Sequence, residues 1–445
     1  LKTKITTPLV NKIAIPALIS GIAEPLLSIT DTAVVGNVQL NATEALSAVG
    51  IAGAFISMLV WVFGQTRSAI SALVSQYLGA NKLDEIKTLP AQAISIILTI
   101  SFLLILITYP FAEVILNFYN AEGIILDYSS SYYRIRIFGL PFTLLTFAIF
   151  GAFRGLQNTF IPMIIAILGA VLNIILDILL VYGIEGWIPA LHVDGAAYAS
   201  LCSQIFMAIL SIVYLYKKTP ISLAIKLPLH KEMPNLVLMI VNLVIRTTAL
   251  NVALYFGTAF AAKYGAKYSA AYTILLNIWF FGAFIIDGYS SAGNILSGKL
   301  FGEKNYDELV KLSNRLIKYA ILLGLAMLVL GGALYKPIGQ IFTQEQAVLD
   351  EFYTIFWLVL AMQPLCAIAF IFDEIFKGLG KMAKLRDVLL ISTFTVFVPT
   401  IFLLDRLDLK LYAVWIAFTL WIIARGFPLI YFFRKEFVPK MKDAS

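Results

Sequence analysis

The chain has 445 residues, 60% of them hydrophobic and 13% charged, with a mean hydropathy of +0.89, which excludes an ordinary soluble domain and reads as a polytopic membrane protein. Two cysteines, Cys202 and Cys366, lie in apolar runs and two histidines, His192 and His230, stand far apart, so neither a disulfide framework nor a zinc cluster is expected. The net charge of +7 would suggest nucleic acid in a soluble chain, but here the basic residues are first tested against membrane topology.

At about 20 apolar residues per span, the sequence predicts twelve spans. They begin near Pro8, Glu44, Thr88, Ile124, Thr159, Asp194, Pro234, Lys267, Asp307, Ala347, Ala383 and Leu409. The first apolar run continues far beyond a signal-peptide core and is read as a spanning helix. With both termini cytoplasmic, inside segments hold 23 of the 33 Lys and Arg and outside loops hold 5, so the basic charge orients the chain and no nucleic-acid partner is expected.

The chain also repeats itself. "YLGANKLDEI" (77–86) matches "LFGEKNYDEL" (300–309), and "FRGLQ" (153–157) matches "FKGLG" (376–380), both at an offset of 223 residues. Six spans per half make the halves parallel repeats, with the usual transporter cavity between them. The expected architecture is an all-α integral membrane protein of two pseudo-symmetric six-helix lobes, 1–218 and 233–445, joined by a cytoplasmic linker, 219–232.

"GNILSGKL" (293–300) imitates a phosphate-binding loop, but Leu300 stands where a magnesium-binding hydroxyl is needed and no strand precedes it. Transport would then draw on an ion gradient.

Ionisable groups within spans cost about 2.5–3.5 kcal/mol each on insertion scales, so they are functional candidates by default. Asn173 and Asp177 lie four residues apart on one helix face. Counted from the span ends, Asp31, Asp177 and Ser200 all lie about 9 Å below the outer end of the first lobe. Two carboxylates, an amide and a hydroxyl at one level are oxygen ligands fit for Na⁺; equally, two close carboxylates can share one proton. The plainer reading is that each acid is satisfied by neighbouring amides and hydroxyls. Glu24, about 10 Å deeper on the face of Asp31, is a candidate relay or substrate-facing acid, or a structural one. Arg246 and Asp287 fall at one depth on adjacent spans and are read as a structural ion pair. Asp373 and Glu374, one turn from Lys377, are read as solvated or paired acids near the cytoplasmic face. Pro16 interrupts helical hydrogen bonding in the first span and marks a candidate bend. "YSSSYYRIRIF" (128–138) is read as an interfacial aromatic belt.

"IAIPALISGIAEPLLSITDTAVVG" (13–36), "GAFRGLQNTFIP" (151–162), "NIILDILLVYG" (173–183) and "VDGAAYAS" (193–200) resemble the multidrug and toxic compound extrusion (MATE) family, and "IRTTAL" (245–250) and "IDGYSSA" (286–292) resemble its DinF-like branch. The resemblance spans essentially the whole chain. It implies a coupling site in the first lobe at Asp31, Asn173, Asp177 and Ser200, and a first-span bend at Pro16. Ser200 stands where some relatives carry threonine, and Glu24 followed by Pro25 occurs in only some DinF-like sequences. The resemblance also implies outward movement of organic cations or amphipathic drugs against inward H⁺ or Na⁺. On this reading the chain is a monomeric multi-pass protein of the plasma (inner) membrane, with no enzymatic activity and no cofactor beyond the coupling ion. A lipid or lipid-linked oligosaccharide flippase of the same superfamily is the alternative; it would favour a cavity lined with arginines.

Overall fold

The computed structural model describes residues 3–36, 42–119, 121–184, 186–225 and 227–442, with side chains described for all of these but 23–29, 32–33, 42–43 and 442. Among the described residues the structure is helical apart from one antiparallel bridge, Ile184 to Ile188. The first half of the chain forms α1 (Thr7–Val35), α2 (Ala42–Phe63), α3 (Thr66–Gly79), α4 (Leu83–Ile86), α5 (Leu89–Thr108), α6 (Ala112–Asn117), α7 (Gly123–Arg136), α8 (Leu140–Gly155), α9 (Phe160–Tyr182) and α10 (His192–Lys218). The second forms α11 (Met233–Lys263), α12 (Ala266–Gly302), α13 (Tyr306–Ala333), α14 (Tyr335–Phe342), α15 (Gln346–Ala361), α16 (Gln363–Gly378), α17 (Met382–Ile391), α18 (Val398–Asp405) and α19 (Leu411–Lys442).

Among the described residues, ten helical stretches are long and apolar enough to cross a membrane, and α15 with α16, bent by 48° at their junction, would make an eleventh. Pro364 lies in the first turn of α16, where its missing N–H costs no intrahelical bond, which accounts for a break at that point. The sequence count of twelve also includes α1; that helix is 29 residues long, but its apolar part with described side chains, Thr7–Ile22, is shorter than a span. The phosphate-loop look-alike at 293–300 lies inside α12, and its Gly298 faces the Ser75 hydroxyl and the Gly378 carbonyl. Those glycines serve close helix packing.

The chain divides into two compact units. One comprises Leu1–Leu18, Ser75–Asn81 and Val241–Ser445, here the C-terminal unit; the other comprises Ile19–Val74 and Lys82–Ile240, here the N-terminal unit. These bounds differ from lobes of 1–218 and 233–445, and the duplicated loops supply a reason. In the C-terminal unit the loop around 303–308 grips the residues that lead into α1. Thr3 N donates to Glu303 Oε2 (3.0 Å), Ile5 N to Glu308 Oε2 (2.7 Å), and Arg315 Nη1 to the Ile5 carbonyl (3.1 Å). In the N-terminal unit the corresponding loop grips the residues that lead into α11. Gln92 Nε2 donates to the Pro228 carbonyl (3.4 Å), His230 N donates to Gln92 Oε1 (2.8 Å), and Lys231 Nζ donates to Glu85 Oε2 (3.0 Å). The offset of 223 carries Glu85 to Glu308, Gln92 to Arg315 and Ile5 to Pro228. Each repeat thus holds the leading segment of the other half's first helix, and compactness follows the grip rather than the chain midpoint.

Each unit has its own core. Val49, Ile56, Val60, Tyr132, Tyr133, Leu140 and Leu144 belong to that of the N-terminal unit. The C-terminal unit has an aromatic cluster around Trp279, Phe356, Trp415, Phe418 and Trp421 and a second cluster around Leu316, Phe372, Phe376 and Phe433.

Replacing Glu308 with Ala removes a charge-assisted acceptor of the Ile5 N–H and is expected to destabilise the C-terminal unit by about 1.5–3 kcal/mol. Thermal unfolding in detergent, together with protease access at residues 3–7, checks this. Asp307→Ala serves as the control, since Asp307 pairs with Lys311 at the surface.

Candidate functional site

The site is built on α9, whose two faces differ. Ile167, Leu168, Val171, Ile174, Ile175 and Ile178 are exposed, whereas Ile165, Ala166, Gly169, Ala170, Asn173, Asp177 and Val181 form one buried stripe. Hydrocarbon surroundings favour this arrangement, with apolar side chains outward and polar ones facing other helices. α10 packs against α9 at close range: a Cβ on Gly169 would come within 2.3 Å of Met207 Sδ, and one on Gly195 within 2.5 Å of the Leu180 carbonyl oxygen. Small residues there let the two backbones approach.

Asp31 from α1, Asn173 and Asp177 from α9, and Ser200 from α10 are all 0% exposed. The structure brings them together. Ser200 Oγ lies 2.8 Å from Asp31 Oδ2 and 3.1 Å from Oδ1. Asn173 Nδ2 points to both Asp31 Oδ1 (3.5 Å) and Ser200 Oγ (3.4 Å). Two further groups come from α7, one turn apart. Tyr132 Oη donates to Asp31 Oδ2 at 2.7 Å; Arg136 Nε donates to Tyr132 Oη at 3.3 Å and stands 3.8 Å from Asp31 Oδ2.

The two carboxylates are treated differently. Asp31 accepts from tyrosine, serine and asparagine and faces a guanidinium, so for it the plainer reading, satisfaction by neighbours, holds. Both oxygens of Asp177 and Oδ1 of Asn173 are buried with no donor among the described residues. Asp177 interacts with Asp31 through charge and lies within reach of a proton shared between them. Three acceptor oxygens buried without donors carry a desolvation cost that a proton or a hard cation removes.

Tyr132 and Arg136 correct the aromatic-belt reading of 128–138. Ser129, Ser130, Tyr132, Tyr133 and Arg136 are buried, Tyr133 donating to Thr108 Oγ1 at 2.6 Å, so this face of α7 is a polar seam inside the unit. A sequence signal existed: an arginine within a span, four residues after a tyrosine. Glu24 lies on α1 with its side chain outside the described residues. Pro16 lies within α1, which runs as one helix from Thr7 to Val35.

The proposed pair of Arg246 with Asp287 is not formed. Arg246 instead makes a two-pronged ion pair with Asp373, with Nε 3.3 Å from Oδ1 and Nη2 on Oδ2, while Asp287 is half-exposed and makes no ion pair among the described residues. Counting from helix ends gives depth but not direction around the axis, and Arg246 points to α16. Arg425 Nη2 (3.7 Å) and Lys377 Nζ (3.8 Å) also face Asp373, and Lys377 donates to Glu374. All of this lies in the C-terminal unit, and Asp373 is buried rather than solvated.

A small cavity in the N-terminal unit is lined by Ser20, Thr143, Thr146, Phe147, Phe150, Ala166 and Met207. The Thr143 and Thr146 hydroxyls are buried without hydrogen-bond partners. Arg154 Nη2 donates to Ser20 Oγ (3.3 Å), and the Arg67 guanidinium lies 5.1 Å from the Phe147 ring centre. No carboxylate is among the described lining residues.

Long apolar helices in two compact units, with acids buried inside them, are the features of a polytopic membrane transporter. The comparisons specify the family. The family described as MatE matches residues 16–179 and 243–403, and the chain belongs to it, a family of membrane transporters. DNA damage-inducible protein F of Escherichia coli (strain K12) is 23% identical over 433 residues, 95% of this chain and 91% of that protein. Multidrug export protein MepA of Staphylococcus aureus (strain MSSA476) is 28% identical over 196 residues, 44% of this chain and 42% of that protein. A crystal structure of MATE in the bent conformation superposes with a TM-score of 0.89 at 18% identity, covering 98% of this chain and 96% of that one.

Replacing Asp373 with Asn takes the carboxylate away from two buried guanidinium groups, those of Arg246 and Arg425, and is expected to cost about 3–5 kcal/mol of stability. Asp287→Asn is expected to stay within about 0.5 kcal/mol of the parent. Thermal unfolding of both variants in the same detergent measures the difference.

Proposed function

We propose that the chain is a cation-coupled antiporter that exports small amphipathic molecules, taking up one H⁺ or Na⁺ at Asp177 for each outward transport event. One observation carries this reading: the oxygens of Asp177 and Oδ1 of Asn173, without donors among the described residues, lie beside a carboxylate, Asp31, that already has its donors. Buried carboxylates can share a proton, and their oxygens with an amide oxygen suit a hard cation. The incoming ion neutralises Asp177, and it shifts the N-terminal unit between conformations only to the extent that it binds one of them better. Pro16, where α1 lacks one backbone donor, is the position at which that helix bends when the ion arrives.

Export is supported by relatives such as the S. aureus multidrug export protein. The excess of Lys and Arg on one side supports cytoplasmic termini.

In proteoliposomes, Asp177→Asn is expected to reduce dye efflux by at least about tenfold under both H⁺ and Na⁺ gradients, since the variant cannot change charge. Unchanged efflux would remove Asp177 from the mechanism. The gradient that drives the parent protein identifies the ion.

A further inference from the structure

We infer that Arg136 is a resident counter-ion of the coupling site, leaving one negative charge to be met by transport so that a single monovalent cation is taken up and divalent cations are rejected. This rests on the coupling role proposed for Asp177. Among the described residues, the charged and titratable groups placed together are Asp31 from α1, Asp177 from α9, and Tyr132 and Arg136 from α7. Arg136 is 5% exposed, and arginine keeps its proton in proteins. With both acids ionised, the site therefore carries two negative charges and one fixed positive charge. One H⁺ or Na⁺ brings it to neutrality; a Ca²⁺ would leave a net buried positive charge, which is costly.

Geometry explains why Arg136 offsets the charge without occupying the ion's place. Tyr132 and Arg136 are spaced i, i+4 on one face of α7, and the Tyr132 hydroxyl accepts from Arg136 Nε while donating to Asp31 Oδ2. The guanidinium is therefore held to the Asp31 side, at 3.8 Å, with a hydroxyl between. The Asp177 oxygens receive no donor from it. Arg136 is thus a positioning and specificity residue, acting on the ion through charge.

The test counts Na⁺ and H⁺ bound per chain by the purified full-length protein in nanodiscs, with and without an excess of Ca²⁺. The parent is expected to bind one monovalent ion, unaffected by Ca²⁺, and Asp177→Asn to bind none. Arg136→Gln is expected to bind two monovalent ions, or one Ca²⁺ in competition with them; Arg136→Lys is expected to behave as the parent does. A merely structural arginine would not change the count or admit Ca²⁺. Arg136→Gln that still binds one monovalent ion and rejects Ca²⁺ overturns the inference while leaving Asp177 in place. Parent-level binding by Asp177→Asn instead overturns the coupling reading itself. Should Arg136→Gln fail to fold, the parent protein decides: two ions bound per chain, or displacement by Ca²⁺, overturns the inference.

Discussion

A carboxylate inside a hydrocarbon layer must find its hydrogen-bond donors within the protein. This constraint has opposite outcomes in the two units. In the C-terminal unit, Asp373 faces Arg246, Arg425 and Lys377, and the charge is closed by fixed partners. In the N-terminal unit, donors among the described residues go to only one acid of a pair. Tyr132, Ser200 and Asn173 converge on Asp31, and Asp177 receives none from them.

The rest of the N-terminal unit follows from holding that asymmetry in place. α9 turns its polar stripe inward because its other face is covered with isoleucine, leucine and valine. Glycines at 169 and 195 let α10 come near enough for Ser200 to reach Asp31. α7 contributes aromatic and cationic groups from one face, packed among Val49, Ile56 and Leu140. Each is a local consequence of residue size or spacing, and together they give two chemically similar side chains different surroundings.

Much of this was legible in the sequence, for a physical reason. Hydropathy reports which segments prefer hydrocarbon, and a rise of about 1.5 Å per residue converts position into depth. Asp31, Asp177 and Ser200 could therefore be set at one level before any coordinates. Direction around the helix axis was not legible, because a span packed against several neighbours has more than one polar sector. Arg246 was accordingly matched with Asp287 at equal depth when its true partner, Asp373, lies on another helix. Tyr132 and Arg136 were missed because tyrosine, serine and arginine together resemble the composition of a membrane interface; only their pairing with Asp31 separates a buried seam from a belt. The division into units was also hidden, since the contacts that set it join residues some 300 positions apart.

The paired loops that grip residues 3–7 and 228–231 carry a further consequence. In an exchange between two identical subunits, each copy holds the leading arm of the other. The present chain has that pattern written into one polypeptide: Glu308 and Arg315 of the second repeat hold the arm of the first, and Glu85 and Gln92 of the first hold the arm of the second. Each half thus carries a clasp whose strap belongs to the other.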